Sequence, residues 1–310
     1  MKGLCNIGQT CYLNAALQCL VHCPNLANYM LSGLPENDAC TKKKGAHAVA
    51  MAFVDFVREY WAHAGPGPST EAIHASLARS TRNFKLGSCH DAHEALCALL
   101  DKVHDGLGRL RPGEHAVRVL PSVCSKDWAD SLKGGACSVV SEVFRGQVRV
   151  DVRAGEYTST THDHFTCLSL GVGAHASLTQ CLHQHFGPEE VDDFVVDGQK
   201  ATATVHKRAT YLPRILVIHL KRFDGKGKVD RFVGYPSELD MGEYSVPGID
   251  HHYQLFGVCL HRGDLDDGHY TACCEVKGVW HYMDDETATA ISNINDIIQR
   301  DAYLLLYKRL

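Results

Sequence analysis

No apolar run in this 310-residue chain approaches the roughly 20 residues that cross a bilayer, so no membrane association is expected. No secretory leader is expected. Met1-Lys2 runs straight into a glycine- and cysteine-bearing segment, which points to an intracellular chain, cytoplasmic or nuclear. No long basic block is present beyond Lys42-Lys43-Lys44, and Lys+Arg 31 against Asp+Glu 36 leaves a formal charge of -5. A backbone-driven nucleic-acid binder is therefore not expected, whereas a basic protein partner suits the balance. There is no internal repeat. Charged residues at 22% beside 45% hydrophobic ones exclude a disordered or low-complexity chain.

Cysteine and histidine are plentiful, with 14 and 20 copies. The cysteines sit mostly in apolar stretches, such as Leu17-Gln18-Cys19-Leu20 and Ala95-Leu96-Cys97-Ala98, where they read as small buried hydrophobes. In a reducing compartment a cysteine is inert or catalytic more often than disulfide-bonded.

The first third has helical periodicity. Leu13, Ala16, Leu17 and Leu20 form one face of a helix starting at Cys11 and ending near Pro24. Val49, Phe53, Phe56, Val57 and Tyr60 form a second face, ended by Gly65-Pro66-Gly67-Pro68. A third helix is predicted from Asp91 to Val103, and a short one from Leu178 to Phe186. Strands are predicted around Val148–Val152 and over Ile215–Leu220, Tyr253–Leu260, His269–Val276, Val279–Met283 and Tyr303–Tyr307. Gly106 to Gly135 has weak periodicity and reads as a long loop or insertion. Helices followed by an antiparallel-rich half make an α+β protein with a cleft between two lobes.

Cys11 stands where a glycine-containing loop, Gly3-Leu4-Cys5-Asn6-Ile7-Gly8-Gln9-Thr10, becomes a helix. Unpaired N–H groups and the helix dipole favour a thiolate there, and the same N–H groups can receive an oxyanion. Asn6 offers a side-chain donor for that oxyanion. The alternative is that Cys11 is one more packing cysteine and the glycines only shape a turn. Gly268-His269-Tyr270-Thr271 follows the segment Gly263-Asp264-Leu265-Asp266-Asp267 and opens a strand. If that strand pairs with Val279–Met283 across a tight turn at Lys277-Gly278, Asp284 comes beside His269 and can fix its tautomer. Taken singly, a histidine among 20 is more often packed or solvated, and Asp284-Asp285 more often a turn.

Together these segments resemble the ubiquitin-specific protease family, the papain-like deubiquitinases. The likeness runs through the Cys11 box, Asp91-Ala92-His93-Glu94 with Leu99-Leu100-Asp101, Leu212 to Phe223, the His269 segment, and Trp280 to Asp285 with Ala302 to Tyr307. Five motifs in the family's order are far more specific than any one pattern. The resemblance implies a single catalytic domain over 1–310, with a papain-like hand: a helical thumb over about 1–110, and β fingers and β palm over about 140–310. It implies Cys11 as nucleophile, His269 as base, Asp284 as orienting acid with Asp285 assisting, and Asn6 at the oxyanion. Asp91 and Glu94 would read the basic tail of ubiquitin. Ubiquitin and ubiquitinated proteins are the implied partners, and a monomer is expected. A catalytically silent ubiquitin binder and a protease for ordinary peptides are the competing readings.

Departures from the family pattern are visible. Gln9 stands where the family usually has Asn, Cys89 where it has Gln, Ala95 where it has Phe, and Met283 where it has Phe. Many members carry two C-x-x-C zinc-binding pairs in the fingers. Here the corresponding segments read Val152-Arg153-Ala154-Gly155-Glu156-Tyr157 and Val196-Asp197-Gly198-Gln199-Lys200-Ala201, so neither forms a thiolate site. His162-Asp163-His164 and His183-Gln184-His185 lack matching partners. No cofactor and no metal ligands are expected, and the fingers must hold by packing and strand pairing. No accessory ubiquitin-like or zinc-finger domain is expected beside this one, unless the chain is an excised catalytic core.

Overall fold

A computed structural model describes residues 1–62, 65–108, 137–224, 227–264, 267–293, 296–298 and 301–310. Most of the Gly106 to Gly135 stretch lies outside the described residues. Six helices come first: α1 (Cys11–Val21), α2 (Pro24–Leu31), α3 (Leu34–Asp38), α4 (Lys44–Ala62), α5 (Glu71–Thr81) and α6 (Ala92–Gly106). Pro24 ends the run of α1 as expected, yet the chain resumes as α2 at once, because proline at the first helical turn lacks only an N–H that would be orphaned anyway. The predicted stripes of α4 and α6 face inward: Val49, Phe53, Phe56, Val57, Leu96, Leu99, Leu100 and Val103 are buried. The α5 helix has a weaker pattern. Only Ile73 and Leu77 supply its buried apolar side chains, which is why periodicity did not reveal it.

The strands are β1 (Gly146–Ala154), β2 (Tyr157–Phe165), β3 (Leu168–Gly171), β4 (Glu189–Val196), β5 (Gln199–Tyr211), β6 (Ile215–Lys221), β7 (Phe223–Asp224), β8 (Gly227–Lys228), β9 (Glu238–Asp240), β10 (His252–Gly263), β11 (Gly268–Val276), β12 (Val279–Asp284), β13 (Thr287–Ile291) and β14 (Ala302–Arg309). Two further helices, Val139–Phe144 and Leu178–Phe186, lie among them. The palm sheet runs β13-β12-β11-β10-β14-β6-β3, with β9 on β10; β3 and β6 are parallel. The finger sheet runs β2-β1-β5-β4.

Both faces are covered at the centre of the palm, so β6, β10, β11 and β14 carry near-continuous buried runs, while the edge strands β12 and β13 stay partly open to solvent. Ile215, Val217, Leu304 and Leu306 join the cluster around α1, α4 and α6. Leu216, Ile218, Leu220, Leu305 and Tyr307 join the opposite cluster with Leu178, Leu182 and Phe186. Every residue of α1 is buried, since the helix lies between the thumb helices and the palm. The N-terminal end of α1 is therefore fixed from both sides. In the fingers, the two segments without cysteine pairs close as two-residue hairpin turns. Ala154 pairs Tyr157, and Val196 pairs Gln199. Asp197 and Gly198 both have positive φ (50° and 79°), as a tight Asp-Gly hairpin turn requires.

Candidate active site

Cys11 is the first residue of α1, 6% exposed. The loop before it turns through Gly8 (φ 134°) and Gln9 (φ 55°). Asn6 organises that loop: its Oδ1 accepts from the N–H of Gly8 (3.2 Å) and of Thr10 (3.0 Å). Backbone N–H groups of Tyr270 and Tyr12 favour the Cys11 thiolate. Burial nevertheless pushes its thiol up from the ordinary value, and the Asp285 charge adds to the rise.

The tight turn at Lys277-Gly278 joins β11 to β12, with Val276 opposite Val279. Its positive φ angles, 51° and 82°, suit the two-residue hairpin expected there. This hairpin sets Asp284 Oδ1 2.7 Å from His269 Nε2. With Nε2–H donating to the carboxylate, Nδ1 is the nitrogen left with a free lone pair. Both side chains are partly solvent-exposed, 47% for His269 and 40% for Asp284. Among the described residues His269 and Cys11 make no hydrogen bond to each other. Gly268 must be glycine, because a Cβ there would lie 2.1 Å from Nε2 of the buried His261. Lys228 holds the same corner, donating to the carbonyls of His261 (2.9 Å) and Gly263 (2.7 Å).

Asp285 does different work from its neighbour. Its Oδ2 accepts from Asn6 Nδ2 (2.8 Å) and its Oδ1 from Asn14 Nδ2 (2.7 Å). Its backbone carbonyl accepts from Leu4 N–H (2.6 Å), and Glu286 Oε1 accepts from Asn6 N–H (2.8 Å). The turn after β12 thus clamps the loop before α1, bringing the chain's two ends into one site. Asn14 and Glu286 were not foreseen. Asn14 carried a signal, being a polar side chain one turn beyond Cys11 on a wholly buried helix.

Asp91 is the N-cap of α6: Oδ1 accepts from Glu94 N–H at 2.9 Å, and Oδ2 accepts from the Tyr303 hydroxyl. Glu94 is exposed. Two departures from the family pattern meet in space, since Cys89 Sγ lies 3.4 Å from Gln9 Oε1. Every described cysteine is free. No helix among the described residues is long and apolar enough to cross a membrane.

The sequence pattern of the family described as ubiquitin carboxyl-terminal hydrolase matches residues 2–307. Ubiquitin carboxyl-terminal hydrolase 2 of Rattus norvegicus is 30% identical over 99% of this chain, which covers 54% of that protein. Ubiquitin carboxyl-terminal hydrolase 17-like protein 15 of Homo sapiens is 33% identical over 98% of the chain and 53% of that protein. The chain thus spans about half the length of these relatives. Among solved structures, a SAGA DUB module bound to monoubiquitin superposes with TM-score 0.82 at 25% identity, over 100% of this chain and 69% of that one.

Proposed function

From the premise that the chain belongs to the ubiquitin carboxyl-terminal hydrolase family, we propose that it is a deubiquitinating thiol protease with a Cys11–His269–Asp284 triad. The observation that carries this reading is the Asp284–His269 pair on a hairpin packed against the helix that begins at Cys11. The substrate is the isopeptide or peptide bond after the C-terminal glycine of ubiquitin. Ubiquitin and ubiquitinated proteins are the partners of a monomeric intracellular enzyme that needs neither nucleic acid nor membrane.

Because burial holds Cys11 as a thiol at rest, Nδ1 of His269 takes its proton when substrate aligns the pair. The thiolate attacks the glycine carbonyl. Asn6 Nδ2, which has a second hydrogen beyond the one given to Asp285, and a backbone N–H at the start of α1 receive the oxyanion. The C–N bond breaks as His269 returns the proton to the leaving amine, leaving a thioester. His269 then deprotonates water, whose attack breaks the C–S bond. Asp91 and Glu94 face the arginines that precede ubiquitin's terminal glycines, a charge-assisted match.

The raised thiol and the missing Cys11–His269 hydrogen bond favour one alternative, a silent ubiquitin binder on this fold. A ubiquitin carrying a C-terminal electrophile separates the two. Covalent capture that Cys11→Ala abolishes, while that variant still binds ubiquitin, supports the protease. Tight binding of the unmutated chain without capture supports the silent binder.

A further inference from the structure

Beside the Asp91–Glu94 segment, α6 and the start of β3 bring three soft ligands together. His93 and Cys97 are four residues apart on α6 and so share one face. Cys167, at the junction of β2 and β3, meets them. The ligating atoms of His93, Cys97 and Cys167 all lie within 4.8 Å of one another. None of the three is fully exposed. We propose that His93, Cys97 and Cys167 bind one zinc ion that ties the thumb helix α6 to the palm.

The donor set selects the metal. Two thiolates and an imidazole suit a borderline-soft, tetrahedral ion and not a hard one that wants oxygen. Zinc bond lengths require ligand–ligand edges of about 3.5–3.8 Å, so the present spacing closes with small side-chain movements. Two thiolates cancel the dication's charge, which suits a half-buried site. Binding a metal there displaces the thiol protons.

The surroundings hold the ring ready. His219, on β6, stacks on His93 at 3.9 Å between centroids with planes 14° apart. Its Nδ1 bonds Ser169 Oγ at 3.1 Å, while its Nε2 is buried with no partner. Stacking sets the His93 plane and keeps His219 itself from sharing the ion in that orientation. Cys97 also lines a cavity of about 250 Å³ with Asp101, His104, Ser141 and Arg145, a route by which an ion or water reaches its sulfur. This site lies at the seam of α6 and the palm. It is separate from the finger segments whose missing thiolates led to the expectation of a metal-free chain.

The test uses the full chain carrying Cys11→Ala, so that no active-site thiolate contributes. The chain is stripped with a chelator under reducing conditions and titrated with Co(II). The expected result is a one-to-one complex with an intense thiolate-to-cobalt charge-transfer band and tetrahedral visible transitions. Cys97→Ser and Cys167→Ser should each remove most of the band, and His93→Ala should weaken affinity at least 10-fold. Should these variants not fold, zinc protection of Cys97 and Cys167 from alkylation, mapped by mass spectrometry in the parent chain, gives the same answer. A weak octahedral spectrum, a band that survives Cys97→Ser with Cys167→Ser, no protection by zinc, or a Cys97–Cys167 disulfide persisting in the reduced chain would each overturn the site.

Discussion

The palm and the finger sheets share antiparallel pairing but are stabilised in different ways. In the palm, neighbouring residues of β6 point into opposite apolar clusters, and the central strands are buried on both sides. In the fingers, β2 and β4 contain no fully buried residue. Their side chains make polar contacts instead, such as Thr160 to Asp151 (2.7 Å) and Lys207 to Glu189 (3.3 Å). Exposed contacts of this kind contribute little each. The β11–β12 hairpin, anchored on that core through Tyr270, Ala272 and Met283, holds the partly exposed His269 and Asp284 at hydrogen-bonding distance. The fingers present a polar surface whose shape depends on register and on two tight turns.

The largest effect that sharpens this contrast belongs to the palm hairpin. Asp284→Asn should lower kcat by about 10²–10⁴-fold, because an amide can also donate to His269, so it no longer fixes the tautomer or stabilises the imidazolium. Asp285→Asn should act through the Asn6 and Asn14 clamp. If Asp285→Asn proves the more harmful in steady-state kinetics, the orienting role belongs one residue later. Next comes Leu305→Ala in the doubly covered sheet, expected to cost about 2–5 kcal/mol in denaturant unfolding.

Asp91→Asn tests the seam between the lobes. Asparagine caps a helix as well as aspartate does, so any loss of thermal stability should be limited to the altered bond with the Tyr303 hydroxyl, about 1–3 kcal/mol at most. Losing the charge should reduce kcat/KM by a factor matching about 1.5–3 kcal/mol, and by less against a ubiquitin whose tail arginines are replaced. Unchanged kinetics would leave Asp91 as a cap and a partner of Tyr303 only.

Acid should act on the core that carries the site. His22, bonded to the Gln18 carbonyl at 2.7 Å, is pushed down to about 4 by burial, with His281 and the N-terminal amine adding to it. His261 is also pushed down to about 4, by burial and then Lys228. Between pH 6.5 and 4 the unfolded chain therefore binds protons that the folded chain refuses. Stability should fall as pH drops through that window, by up to about 1.4 kcal/mol per pH unit for each histidine. A flat unfolding free energy from pH 6.5 to 5 would contradict this. The smallest effect lies at the fingers. Val195→Thr, at a side chain 61% exposed, should change stability by less than about 0.5 kcal/mol. A cost rivalling Leu305→Ala would remove the distinction between the sheets.

Much of this was legible in local sequence. The stripes of α4 and α6, the buried run at Ile215, and the turn at Lys277-Gly278 each follow from patterns a few residues long. So did the pairing of His269 with Asp284, because a two-residue turn fixes the register of the strands it joins. The finger strands were harder to see. Thr158 to Thr161 is polar on both faces, and Glu189 to Asp193 is polar but for Val191, which erases the alternation that marks a half-buried strand.

The sequence by itself determined the helix that starts at Cys11, the His269 hairpin and the lack of cysteine pairs in the fingers, since each depends on near neighbours. Only the tertiary structure decided that Asp285 clamps Asn6 and Asn14, that Asp91 is already shared with Tyr303, and that His93 and Cys97 meet Cys167. Those contacts join residues from 70 to 279 positions apart. Their partners are chosen by how α1 and α6 pack on the palm, and no periodicity along the chain encodes that packing.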